Sequence, residues 1–73
     1  MSQEVTTILV IEGAAFVNLR QGPSMNAPVL TVLSEGTEVS VINKRDQWAK
    51  VTTAAGLSGF VATEFLGKVS ADE

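Results

Sequence analysis

The sequence predicts an all-β fold, a small barrel or sandwich of short antiparallel strands. Three observations carry this. Turn-forming residues recur about every ten residues from Gly36 onward, at Ser34-Glu35-Gly36, Asn43-Lys44-Arg45-Asp46 and Ala54-Ala55-Gly56. The segments between these breaks are β-branched or alternate in polarity with period two. No stretch of ten residues keeps a helical period.

The elements follow in order. Val5 to Ile11 is rich in Val, Ile and Thr and reads as the first strand. In Val17-Asn18-Leu19-Arg20, alternation points Leu19 inward and turns Asn18 and Arg20 toward a long loop. That loop runs from Arg20 to Val29 and is bracketed by Gly22-Pro23 and Ala27-Pro28. Both prolines fall outside the strands, in keeping with their inability to donate to a ladder. A loop this long on a rigid scaffold is a place for binding, or simply a cover over an open barrel end.

Val29 to Leu33 is apolar and β-branched and reads as the second strand. Thr37 to Val41 alternates and places Val39 and Val41 on one face. Gln47 to Thr53 puts Ala49 and Val51 on one face and Trp48, Lys50 and Thr52 on the other. Ser58 to Ala62 is a short fifth strand, and Thr63 to Leu66 forms one helical turn with Thr63 as its cap. The expected layout is a disordered 1–4, a barrel over 5–69 and a disordered 70–73.

Composition bounds the function. With 73 residues the chain builds one core and hence one domain. Cysteine is absent, which excludes disulfides and thiolate metal sites. Histidine is absent, which excludes a Ser-His-Asp triad. A net charge of −3 argues against a nucleic-acid partner. The longest unbroken apolar runs, Ile8–Ile11 and Ala14–Val17, are four residues each, and a membrane span needs about 20, so no membrane insertion is expected. The start Met1-Ser2-Gln3-Glu4 lacks the positive region of a secretory signal. The chain is expected in the cytoplasm if complete, and in the envelope or outside the cell if it belongs to a longer protein.

Nothing points to catalysis or to a cofactor. The acids lack metal-ligand spacing, and no phosphate-binding glycine motif occurs. Gly56-Leu57-Ser58-Gly59 does not have nucleophile-elbow spacing, and no His could activate Ser58. Gly22, Gly36, Gly56 and Gly59 read as turn or close-approach residues. The expectation is a domain that is not an enzyme and needs no cofactor.

Five segments in order then resemble one family. Val17-Asn18-Leu19-Arg20-Gln21-Gly22-Pro23-Ser24 is similar to the "LNVRSGPS" signature of bacterial SH3 (SH3b) domains. Val29 to Val41 resembles the family's "V-I-G-T-L-x-x-G-T-x-V-x-V" segment, and Gln47-Trp48-Ala49-Lys50-Val51 its "G-W-x-K-V". Gly59-Phe60-Val61 stands for "G-W-V", and Glu64-Phe65-Leu66 resembles the closing "x-Y-L". The resemblance implies an SH3-like barrel of five to seven strands. It also implies a non-catalytic binding module, such as those that direct envelope proteins to peptidoglycan or its peptides. Phe60 replaces the usual Trp, Phe65 the usual Tyr, and Ala49 a common aromatic. Each exchange removes a ring or a hydrogen-bonding handle, which implies a blunter groove.

The candidate site residues are Trp48, Asn18, Arg20, Ser24 and Phe60. Trp48, the sole Trp, would be partly exposed opposite Ala49 and Val51, either stacking on a ligand or lidding the barrel. Arg20 could take a ligand carboxylate bidentately, or tie the loop to the barrel through Glu35, Glu38 or a backbone carbonyl. Asn18 and Ser24 would add polar contacts, and Phe60 an apolar one. The partner would be a cell-wall peptide or glycan. The rival is a protein–protein or homo-oligomeric assembly module, using Ile42, Phe60 and Phe65 as an apolar patch. Proline-rich peptide recognition is a weaker third option, because it relies on Tyr, and Tyr is absent.

Overall fold

The computed structural model describes residues 7–68. The disorder expected at 1–4 and 70–73 lies outside these residues, as do Val5 and Thr6 of the first expected strand. Seven strands form, all antiparallel: β1 (Thr7–Ile11), β2 (Phe16–Arg20), β3 (Val29–Ser34), β4 (Glu38–Arg45), β5 (Trp48–Thr52), β6 (Ser58–Ala62) and β7 (Leu66–Lys68). A single 3₁₀ turn, Thr63–Phe65, precedes β7. The strand order is β3-β2-β6-β5-β4-β1-β7, and the sheet curls around one core as the expected small barrel.

Alternation does the sorting. Val17 and Leu19 of β2, Ala49 and Val51 of β5 and Val61 of β6 point inward and are buried. Ile11, Leu33 and Val39 complete the core, with Ala14, Val41, Phe65 and Leu66 packed against it. Val41 is only half-buried, although it shares the face of Val39.

Two expectations are corrected. The break expected at residues 43–46 is mostly strand: β4 runs through Arg45, and only Asp46 and Gln47 turn. Asp46 takes the left-handed conformation (φ 52°) that Asp tolerates better than most residues, so a two-residue turn suffices. Thr63 does not cap the helical turn. Ala62 holds the cap position, no side chain bonds there, and the Thr63 hydroxyl donates to the Asp46 carbonyl at 3.4 Å.

An irregularity in β4 sets which side chains face out. Val41 opposes Val51, but Asn43 opposes Lys50, so Ile42 is an extra residue on β4. Simple alternation from Val39 and Val41 would carry Asn43 and Arg45 to the inner face. The bulge reverses that parity and places Asn43 and Arg45 beside Lys50 and Trp48 instead. Ile42 itself is left 57% exposed.

At the seam between β2 and β6 two backbones approach closely. A side chain at Gly59 would begin 2.7 Å from the Arg20 carbonyl oxygen and 2.8 Å from Leu19 Cγ. Both distances lie inside van der Waals contact, so only glycine fits. Gly56 is different: it holds φ +88° in a turn with open space around it. Gly59→Ala is expected to cost about 2–3 kcal/mol by forcing the seam apart, and Gly56→Ala about 1–2 kcal/mol from backbone strain alone. Urea unfolding of the two variants checks this. Equal losses would show that the seam is not the tighter constraint.

Candidate functional site

Trp48 opens β5 directly after the Asp46-Gln47 turn. The Thr63 amide donates to the Gln47 carbonyl at 2.9 Å, and with the Thr63 hydroxyl bond it fastens the β4–β5 hairpin to the 3₁₀ turn. The ring lies on the outer face, half-buried, because Ala49 and Val51 occupy the inner one. Its cross-strand neighbours are Arg45 on β4 and Ala62 on β6.

Three surface depressions meet at this ring. The first, about 440 Å³, is bounded by Trp48 and Phe60, with Arg45, Lys50 and Asn43 on one side and Pro23 of the long loop on another. Asp46 also borders it. The second, about 430 Å³, runs between Met25 and the Gln47, Thr63 and Glu64 side of the 3₁₀ turn. The third, about 220 Å³, holds Asn18 and Arg20 with Phe16, Met25 and Phe65. The first two have volumes within the range of small-ligand sites, roughly 300–1,000 Å³. The charges differ: two cations and one acid border the first, Glu64 alone the second and Arg20 alone the third.

The expected site residues therefore divide. Trp48 and Phe60 share the first depression, and Trp48, Asn18 and Arg20 share the third. Ser24 borders none of the three. Its hydroxyl accepts the Asn26 amide at 3.1 Å, and its carbonyl accepts the Ala27 amide at 3.1 Å, so it builds the loop's own turn.

Arg20 ties the loop to the barrel through a backbone carbonyl. Its Nη1 donates to the Ala27 carbonyl at 2.8 Å, across a loop whose ends are also joined by the Gln21 amide and the Pro28 carbonyl at 2.8 Å. The guanidinium is part-buried, so this charge-assisted bond holds the loop in one shape.

The family departures fall in different places. Phe60 and Phe65 line depressions, to which they bring rings without a hydrogen-bonding group. Ala49 is fully buried, so its smaller size thins the core rather than the groove. Of the residues named for an apolar patch, Phe60 borders the first depression, Phe65 the third and Ile42 none of the three. The two most exposed large apolar side chains among the described residues are Met25 (70% exposed) and Phe16 (68%), which share the third depression.

Arg45, Lys50, Asn43 and Pro23 were not among the expected site residues. The parity of Lys50 with Trp48 is legible in the sequence, but that of Arg45 and Asn43 depends on the bulge. Among the described residues no group of His, Cys, Asp or Glu could hold a metal, and no helix is long and apolar enough to cross a membrane.

A curled antiparallel sheet with a half-buried Trp, a cinched loop and a lone 3₁₀ turn defines a small SH3-like barrel. The chain belongs to the bacterial SH3 domain family, whose model matches residues 15–67. It is also similar to the Bacillus subtilis (strain 168) protein named "Putative N-acetylmuramoyl-L-alanine amidase YrvJ", at 35% identity over 63 residues. That match covers 84% of this chain and 12% of that protein. No solved structure matches the chain significantly.

Removing the loop tie tests this geometry. Arg20→Met is expected to cost about 1.5–3 kcal/mol in unfolding free energy, the range for a bond to a charged group. It should also speed amide exchange selectively across residues 21–28. Hydrogen exchange followed by mass spectrometry checks the second effect. Unchanged loop protection would show that the Arg20–Ala27 bond does not order the loop.

Proposed function

We propose that this domain is a non-catalytic binding module that holds a parent protein on cell-wall peptidoglycan or its peptides. The observation that carries the reading is Trp48. One half-buried ring walls three adjoining depressions at the meeting of the loop, the hairpin tip and the 3₁₀ turn. An indole offers large apolar area at low entropic cost, which suits sugar rings and peptide planes alike. Family membership supports a binding role, and the name of the relative supports the wall as its setting.

Trp48 and Phe60 supply the apolar contact. Arg20 acts by fixing the loop, Asn18 stands beside it for polar contact, and Ser24 shapes the loop turn. Affinity per domain is expected to be weak, because the depressions are open and the parent protein would supply avidity. A second reading, an assembly module, is favoured by the exposed Phe16 and Met25 side by side in the third depression.

Co-sedimentation with insoluble peptidoglycan sacculi tests the choice, with Trp48→Ala alongside and circular dichroism to confirm its fold. Trp48→Ala is expected to weaken binding at least about tenfold, as loss of an aromatic anchor does. Equal binding by the folded variant would move the site away from this ring. Absence of binding by the unaltered domain, with a dimer seen by light scattering, would replace the wall reading with the assembly one.

A further inference from the structure

The chain as a whole is acidic, at −3, yet two of its five basic residues face the first depression. On an exposed sheet face, opposite charges across strands ordinarily neutralise one another. Here they do not. Lys50 stands between Asn43 on β4 and Phe60 on β6. Arg45 stands opposite Trp48. Asp46 is the one acid on the rim.

The side-chain hydrogen bonds among the described residues engage neither cation. They join Arg20 to Ala27, Ser24 to Asn26, Ser34 to Thr37, Thr52 to Ser58, Thr53 to Leu57 and Thr63 to Asp46. Arg20 is committed to holding the loop, whereas Arg45 and Lys50 are committed to nothing described. Arg45 reaches the groove that Lys50 already faces only because the Ile42 bulge reverses the parity of β4. An aromatic-walled depression with two uncommitted cations on one side is complementary to an anion carried on an apolar stem.

We propose that this depression binds a carboxylate-bearing peptide, the carboxylate held by Arg45 and Lys50 and the adjoining chain packed on Trp48 and Phe60. The proposal rests on the peptidoglycan reading and narrows its ligand to an acidic peptide segment. Arg45 offers a planar fork that can take both carboxylate oxygens, and Lys50 adds a point charge. A phosphate-rich polymer is the other anionic ligand a wall could present. Two cations flanked by rings fit a single charge on a short stem, whereas a polyanion calls for a longer row of bases.

The sole tryptophan reports occupancy directly through its fluorescence. The soluble probe is a synthetic Ala–Glu–Ala peptide, beside the same peptide with every carboxylate amidated. In parallel, three preparations of sacculi are sedimented: untreated, acid-extracted to remove phosphate polymers, and extracted then amidated with carbodiimide and ammonia. The expected result is a Trp48 signal with the acidic peptide and binding to the first two preparations. Amidation and the double variant Arg45→Gln/Lys50→Met should each weaken both by about tenfold or more, and raising the salt should weaken them too. Both substitutions are at exposed positions, and an unchanged thermal melt shows the fold is kept.

Binding to sacculi that survives amidation and the double variant would overturn this proposal while leaving the peptidoglycan reading intact. Loss of binding on acid extraction alone would overturn it in favour of the phosphate polymer. Failure on all sacculi with a retained, cation-dependent peptide response would overturn the wall reading and keep the carboxylate site. Failure of both assays would remove both.

Discussion

The seam at Gly59 is the constraint on which the rest of this small barrel depends. β2 meets β6 through the single register pair Arg20–Phe60, and it can do so only because Gly59 presents no side chain to Leu19 and the Arg20 carbonyl. This approach does two things at once. It brings Leu19 and Val61 into the core from neighbouring strands, where both are fully buried. It also fixes the root of the long loop against the sheet that carries Trp48 and Phe60. A wider seam would open the core and move the loop away from the ring together. In a domain of 73 residues, with no disulfide and no metal cluster among the described residues, such economy follows from the shortage of apolar surface.

Much of this was legible in the sequence because it rests on period two. The inward Ala49 and Val51 and the outward Trp48 and Lys50 follow from alternation alone. The long loop follows from its two prolines, and a tie from Arg20 to a backbone carbonyl is one of the alternatives the loop motif offers. What escaped reading rests on features that alternation does not carry. The bulge at Ile42 has no sequence mark, since the residues on either side of it read equally well in either parity. The last third of β4 is Asn-Lys-Arg, a polar run that resembles a turn but continues as strand because the hairpin projects past the core. β7, at three residues, is too short for any period to show. The role of Thr63 depends on a hairpin tip 17 residues away in sequence.

Charge follows the same division between local and long-range. Glu35 and Glu38 flank the turn between β3 and β4, and β4 then runs eight residues from Glu38 to Arg45. One strand thus carries acid at its start and base at its end. At about 3.3 Å per residue the two ends lie more than 20 Å apart, beyond the Debye length of physiological salt. The net charge of the chain therefore describes neither end. A partner near the hairpin meets Lys44, Arg45 and Lys50 against the single acid Asp46, and is largely screened from the far pole.

The indole of Trp48 walls three depressions, and this makes them a linked system rather than three independent surfaces. A side chain has one set of torsion angles at a time. A change of the ring's rotamer at one depression would move a wall of the other two. An occupant that favours one ring rotamer therefore changes the fit of occupants in the other depressions, and by thermodynamic reciprocity each feels the other equally. One shared ring is thus the shortest path by which one depression can sense another.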